Sequence, residues 1–167
     1  IIENDLEIAL VSSAVYEKSD CGKIFYKKNH KTNFKDIIYK FNPINHPTVI
    51  INKEILFRVG NYEDIKYFED YYLWLKFFKK GYKINLMNEP LVVMNVSCQY
   101  RKRWGIRYLL YELIFTFKVI QNKLINVNYL FYFILRLMSR LILLPVFQKS
   151  IRKNRRQISN IKLPKFD

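Results

Sequence analysis

Apolar positions in the first hundred residues fall into short runs separated by polar turns. Leu6–Tyr16 is the longest run, and its apolar and β-branched content is typical of a strand. A turn around Gly22 follows, after which a short strand is expected to return. The runs that predict strands are Leu6–Tyr16, Ile24–Tyr26, Thr48–Ile51 (short and buried), Lys83–Leu86 and Leu91–Met94. The segment Asn88-Glu89-Pro90 separates the last two.

Two segments between these runs have the spacing and the end signals of helices. Lys53–Val59 predicts a short helix that Gly60 ends as a left-handed cap. Phe68–Lys80 predicts a longer helix, because its apolar residues at 73, 74, 77 and 78 recur at helical spacing. Its first turn holds Glu69 and Asp70, where carboxylates suit the helix dipole. The mixture of strands and helices indicates an α/β fold.

The pattern changes after residue 104, where large apolar residues dominate. One stripe at helical spacing is formed by Ile106, Leu109, Leu110, Leu113, Ile114, Phe117 and Ile120. Tyr129–Phe147 is then nearly all apolar except for Arg136 and Arg140, which lie four residues apart and therefore on one helix face. Each central arginine costs about 2.5–3.5 kcal/mol on insertion, which argues against a membrane-spanning helix. The segment fits an amphipathic helix lying in the membrane surface with both arginines at the head groups, or a core helix that covers another face of the domain.

The balance of basic and acidic residues also changes near residue 100. Residues 1–100 hold 14 basic and 12 acidic side chains, whereas residues 101–167 hold 15 and 2, and the whole chain has a net charge of +15. A segment that is both basic and strongly apolar indicates a membrane surface rather than nucleic acid. The hydrophobic content of 50% excludes a disordered chain. The two cysteines and two histidines are too widely spaced for a typical zinc site or disulfide framework.

The pair Glu69-Asp70 is the candidate for chemistry, although carboxylates at a helix start are more often caps or dipole partners. This pair is distinguished by the sequence segments that surround it. The segments concerned are Asn42-Pro43-Ile44-Asn45-His46-Pro47-Thr48-Val49, Val59-Gly60-Asn61-Tyr62, Glu69-Asp70, Leu73-Trp74, Gly81-Tyr82 and Asn88-Glu89-Pro90-Leu91-Val92. In this order they resemble the C-terminal half of a family 2 glycosyltransferase of bacterial polysaccharide assembly.

The resemblance covers residues 1–100 well and residues 101–156 loosely. It implies the C-terminal part of a GT-A fold, the Rossmann-like fold of nucleotide-diphospho-sugar transferases, over residues 1–100. Residues 101–167 would then form amphipathic helices next to the membrane. In the family, the first half carries the nucleotide-binding strands and an Asp-x-Asp motif for Mg²⁺ or Mn²⁺, and no such motif occurs in this chain. We therefore expect no metal ligands here, and no transfer by these 167 residues alone.

By the same resemblance, Asp70 is the general base of an inverting transfer. Glu69 would fix the site or hydrogen-bond the acceptor, and His46 and Trp74 would contact the acceptor. A structural histidine is an equally good interpretation of His46, and a core aromatic residue is the better interpretation of Trp74. Arg101 and Arg103 follow the last predicted strand, where related enzymes contact the diphosphate, and guanidinium groups match phosphate oxygens well.

The implied partners are a nucleotide-diphospho-sugar donor and a lipid-linked or glycan acceptor, with no nucleic acid. The implied location is the cytoplasmic face of the cell membrane, to which the protein would bind peripherally. The alternative is a protein without catalytic activity that binds a membrane surface or a partner through its basic, apolar C-terminal region. In that case Glu69 and Asp70 only cap a helix.

Overall fold

The computed structural model describes residues 7–20, 22, 24–29, 34–96, 106–142 and 157–158. This part of the chain forms a small mixed sheet and five α-helices, in agreement with the α/β prediction. The elements in chain order are β1 (Ile8–Ser19), β2 (Ile24–Lys27), α1 (Phe34–Lys40), a 3-10 turn (His46–Thr48), β3 (Val49–Ile51), α2 (Lys53–Arg58), α3 (Glu69–Lys79), β4 (Lys83–Val96), α4 (Ile106–Gln121), α5 (Val127–Ile142) and β5 (Gln157–Ile158).

Strand β1 is the centre of the sheet. It pairs in parallel with β4 along its whole length. On its other side it pairs antiparallel with β3 near its start and with β2 near its end, and β5 extends β2. Its residues from Ile8 to Glu17 are all buried, so both faces of the strand are covered, and such a strand has a nearly continuous apolar sequence.

Two predictions about strands are wrong in detail. The segments predicted as two strands form the single strand β4, and its pairing with β1 shifts register on both sides of the Ala14–Pro90 pair. These irregularities accommodate Pro90, which has no N–H to donate to a regular ladder. The short strand β3 is not buried, because it lies at an edge of the sheet and Ile50 is 67% exposed.

Helix α3 is the centre of the core, as its apolar spacing predicts. It begins at Glu69 and ends before Gly81, whose φ of +81° is the left-handed conformation expected of a C-terminal cap. Phe68, just before it, stacks on Phe115 of α4 with ring centroids 4.7 Å apart, and Phe115 stacks in turn on Phe133 of α5 at 6.0 Å. Helices α4 and α5 therefore pack on α3 as part of the same hydrophobic core.

The faces that α4 and α5 turn toward this core are not those that carry most of their aliphatic residues. On α4 the buried residues are Tyr108, Leu109, Glu112, Phe115, Thr116 and Val119. From the apolar stripe seen in the sequence, Leu110, Leu113, Ile114, Phe117 and Ile120 are exposed.

Arg136 of α5 does not face outward. Its Nε lies 2.5 Å from Oε1 of the fully buried Glu112, and its side chain is only 17% exposed. The prediction of head-group contact is therefore wrong for Arg136, because Glu112 supplies a buried countercharge, and α5 covers the core here as the alternative interpretation has it. The side chain of Arg140 lies outside the described residues. Among the described helices, none has the length and hydrophobicity needed to cross a membrane.

Candidate functional site

A cleft of about 850 Å³ opens beside the N-terminal end of α3. Its walls come from the sheet, from the segment before β3, and from the loop between α2 and α3. The lining residues are Val15, Lys27, Asn42, Ile44, Asn45, His46, Pro47, Tyr62, Lys66, Tyr67, Glu69, Asp70 and Met94. Segments that are distant in sequence thus meet around the Glu69-Asp70 pair.

The carboxylate of Asp70 is held in a fixed orientation at the cleft. Asn42 Nδ2 donates a hydrogen bond to its Oδ2 at 2.9 Å, and the backbone N–H of Tyr71 donates to its Oδ1 at 2.7 Å. The Asn42 amide is itself fixed, because its Oδ1 accepts a hydrogen bond from the N–H of Ile44 at 3.2 Å. Each carboxylate oxygen has two lone pairs, so Asp70 can still accept a proton from a group in the cleft.

His46 also lines the cleft. Its Nε2 lies within hydrogen-bond distance of the Tyr62 hydroxyl, at 3.3 Å. Burial raises the pKa of this hydroxyl, and the nearby Asp70 carboxylate raises it further. Tyr62 therefore stays neutral at ordinary pH and is available as a hydrogen-bond donor or acceptor.

The structure brings only some of the predicted site residues together. Glu69, Asp70 and His46 all line the cleft. Trp74 is fully buried and is not among the lining residues; its ring touches the edge of the His46 imidazole, with centroids 5.9 Å apart. Trp74 is thus a core aromatic residue that supports the position of His46. Arg101 and Arg103 lie outside the described residues.

A buried polar network holds the segment that carries Asn42 and His46 against the sheet. Asn45 donates hydrogen bonds from Nδ2 to the Ser13 carbonyl at 3.2 Å and to Asn29 Oδ1 at 3.0 Å. Thr48 accepts from the N–H of Ser13 at 3.0 Å and lies 2.8 Å from Ser12 Oγ. These hydrogen bonds tie the 3-10 turn to β1 and so hold His46 in place.

Four polar residues that line the cleft have no role predicted from the sequence: Asn42, Tyr62, Lys66 and Tyr67. Asn42 and Tyr62 lie in segments that carry the resemblance, and their position in those motifs is the signal that points to them. Lys66 and Tyr67 have no such signal. Tyr67 has a φ of +72°, which is unusual for a residue with a side chain, and Lys66 Nζ lies 5.8 Å from the centre of its ring.

The carboxylates of the cleft do not form a typical metal site. In the part of the chain that the structure describes, no three His, Cys, Asp or Glu side chains come together as potential metal ligands. The carboxylates that line the cleft are those of Glu69 and Asp70. Asp70 is considered below through its proton chemistry.

Comparison with curated proteins gives three relatives. The chain is 31% identical over 163 residues to the amylovoran biosynthesis glycosyltransferase AmsE of Erwinia amylovora, covering 93% of this chain and 60% of the relative. It is 33% identical over 123 residues to the UDP-Gal:alpha-D-GlcNAc-diphosphoundecaprenol beta-1,3-galactosyltransferase of Escherichia coli, covering 67% of this chain and 43% of that enzyme. An uncharacterized glycosyltransferase of Haemophilus influenzae is 36% identical over 74 residues, which are 42% of this chain and 27% of the relative.

No protein-family model and no solved structure matches the chain. The chain spans about 60% of the length of the Erwinia relative and less of the other two. The resemblance seen in the sequence is confirmed in its coarser form: the chain is similar over most of its length to bacterial glycosyltransferases, one of which is named for amylovoran biosynthesis. Membership of family 2 stays a prediction.

Proposed function

We propose that this chain is the acceptor side of an inverting glycosyltransferase that works in the synthesis of a bacterial surface polysaccharide. The observation that carries the proposal is the oriented carboxylate of Asp70, fixed by Asn42 at the wall of a large cleft. The names of the relatives support the reaction class, since all three are glycosyltransferases. The Escherichia coli relative is named for a UDP-sugar donor and an undecaprenol-linked acceptor, which supports a lipid-linked or glycan acceptor here.

In the proposed reaction, Asp70 accepts the proton of an acceptor hydroxyl. The hydroxyl oxygen forms a bond to the anomeric carbon of the donor sugar, and the bond from that carbon to the nucleotide diphosphate breaks, with the electron pair leaving on the diphosphate. A base on one side of the sugar and a leaving group on the other give inversion. Glu69, His46 and Tyr62 line the same cleft and would hold the acceptor by hydrogen bonds.

The donor side of this reaction is also a proposal. Arg101 and Arg103 would bind the diphosphate, because guanidinium groups pair with phosphate oxygens in a bidentate way. Lys27 and Lys66 already add positive charge to the cleft. By the resemblance, Mg²⁺ or Mn²⁺ would assist the donor in the complete enzyme, held by an Asp-x-Asp motif that this chain does not contain.

The experiment compares Asp70→Asn with the parent in the complete enzyme, following transfer of labelled sugar from a panel of nucleotide sugars to a lipid diphosphate acceptor. Asparagine keeps the shape and can still interact with Asn42, but it cannot accept the proton. We expect kcat to fall by about 10²–10⁴-fold with little change in KM for the acceptor.

Asp64→Asn is the matched control, because Asp64 is exposed and does not line the cleft. It should leave kcat unchanged. If Asp70→Asn keeps kcat within a few fold of the parent, Asp70 is not the base and serves as a helix-start carboxylate.

A further inference from the structure

Helices α4 and α5 form an antiparallel pair whose alignment two contacts define. Glu112 pairs with Arg136, and Phe115 stacks on Phe133. From the first contact to the second, the chain advances by three residues on α4 and goes back by three residues on α5, so the two helices run in opposite directions. Both contacts lie on the side that faces α3, since Arg136 also approaches the ring of Tyr71 and Phe115 that of Phe68.

The opposite sides of both helices are apolar and exposed. The residues concerned are Leu110, Leu113, Ile114, Phe117 and Ile120 on α4 and Val127, Phe131, Ile134, Leu135 and Met138 on α5. We call these ten residues the outer face. By the alignment of the helices, Phe117 lies level with Phe131 and Leu113 level with Leu135, so the two halves of the outer face run alongside each other.

The outer face is larger than a monomeric soluble protein ordinarily exposes. Its two phenylalanines are 66% and 64% exposed, and its other members are about half exposed or more. At about 150–250 Å² for a whole aromatic side chain, the two phenylalanines alone expose roughly 200–330 Å², and eight further apolar residues about half exposed or more add to this area. The largest apolar patch on a typical monomer is about 300–600 Å². A surface of this size indicates a binding partner.

The charges of the same region identify the kind of partner. Within residues 106–142 the only acidic side chain is Glu112, which is fully buried against Arg136. Arg107 and Lys123 are exposed on this helix pair, and residues 101–167 as a whole carry 15 basic and 2 acidic side chains. The exposed side chains of α4 and α5 themselves thus include basic groups and no carboxylate, and the neighbouring Asp36 accepts a hydrogen bond from Tyr129. An anionic surface would therefore meet net attraction, whereas a second copy of the chain would bring the charge of +13 on residues 101–167 against the same charge.

We propose that the outer face docks on an anionic lipid bilayer, with the aliphatic and phenylalanine side chains in the acyl boundary and basic residues at the head groups. An interfacial helix of this kind buries its apolar face about 5–10 Å deep. Arg136 takes no part in lipid contact, since it is turned to the protein interior. This proposal rests on α4 and α5 alone and does not depend on transfer chemistry at Asp70.

The experiment is flotation of the full chain with two kinds of vesicle, phosphatidylcholine alone and phosphatidylcholine mixed with phosphatidylglycerol. We expect preferential binding to the vesicles that contain phosphatidylglycerol, and weaker binding as salt is raised. Phe117→Ser and Phe131→Ser should each weaken binding by about tenfold, because each removes a largely exposed phenyl group from the lipid contact.

Phe57→Ser is the matched control, because Phe57 is 60% exposed but lies on α2. It should leave binding unchanged. A second measurement does not rely on weakened binding: tryptophan placed by Phe117→Trp should be quenched by brominated lipid, and tryptophan placed by Phe57→Trp should not.

Three results would overturn the proposal. One is equal binding by the parent, Phe117→Ser and Phe131→Ser. Another is equal quenching at positions 117 and 57. The third is a parent chain that does not bind either kind of vesicle and that self-associates as its concentration rises. The outer face would then be an interface with a second copy of the chain.

Discussion

Removal of Arg136 should be among the most destabilising single changes in the chain. Glu112 is fully buried, and the Arg136 guanidinium lies 2.5 Å from its Oε1. Four aromatic rings surround the guanidinium, the nearest being Phe133 with its centroid 4.8 Å away. Arg136→Met keeps the apolar volume but leaves the Glu112 carboxylate buried without its countercharge.

The expected decrease in the free energy of unfolding follows from the geometry of the ion pair. Two unit charges about 4 Å apart attract by about 4 kcal/mol at an effective dielectric constant of about 20. Truncation of one partner of a buried pair destabilises by about 3–5 kcal/mol, because the other charge stays desolvated. We therefore expect Arg136→Met to lower the free energy of unfolding by about 3–5 kcal/mol.

The assay is urea unfolding followed by circular dichroism, with the slope of the transition checked for constancy between variants. Arg58→Met is the matched control. Arg58 also pairs with a glutamate, Glu54, but at 3.4 Å and with both side chains mostly exposed, so its loss should cost about 0.5 kcal/mol or less.

The double variant Glu112→Leu with Arg136→Met completes the argument. It removes both charges and fills the site with apolar groups, so its stability should return to within about 1 kcal/mol of the parent or exceed it. The reasoning is refuted if Arg136→Met costs no more than Arg58→Met. Arg136 would then face solvent or lipid, as the sequence pattern alone predicts.

Two further predictions concern the hydroxyl groups of the partly buried Thr48 and the buried Tyr71. Thr48→Val should lower the free energy of unfolding by about 1–3 kcal/mol, because the N–H of Ser13 loses its acceptor, while Thr48→Ser should cost much less; chemical denaturation of the two variants distinguishes them. Burial raises the pKa of Tyr71, so its hydroxyl ionises more readily in the unfolded chain. Stability should therefore fall as pH rises above about 10, the ordinary pKa of tyrosine, and unfolding titrations should show a smaller fall for Tyr71→Phe.

Local signals in the sequence determine most of the elements near the candidate site. The start of α3 at Glu69 follows from its apolar spacing and the carboxylates of its first turn, and its end follows from Gly81. β1 follows from a run rich in apolar and β-branched residues. The order of the surrounding motifs in the sequence also identifies the pair Glu69-Asp70. These features are set by residues close in the chain, so one-dimensional patterns are enough to find them.

Contacts between distant residues are decided only by the tertiary structure. Asn42 reaches Asp70 across 28 positions, and no local pattern of either segment indicates this hydrogen bond. The single strand β4 exists because β1 supplies a partner along its whole length despite Pro90.

The tertiary structure also decides which side of α4 and which side of α5 are buried. Their sequences carry apolar residues around much of each helix, so periodicity alone leaves two faces that are both suited to burial. Packing selects the aromatic face of α4 because Phe68 and Phe133 stack on Phe115, and it draws Arg136 inward because Glu112 offers a countercharge there. The aliphatic stripe that dominates the sequence is thereby left on the outside.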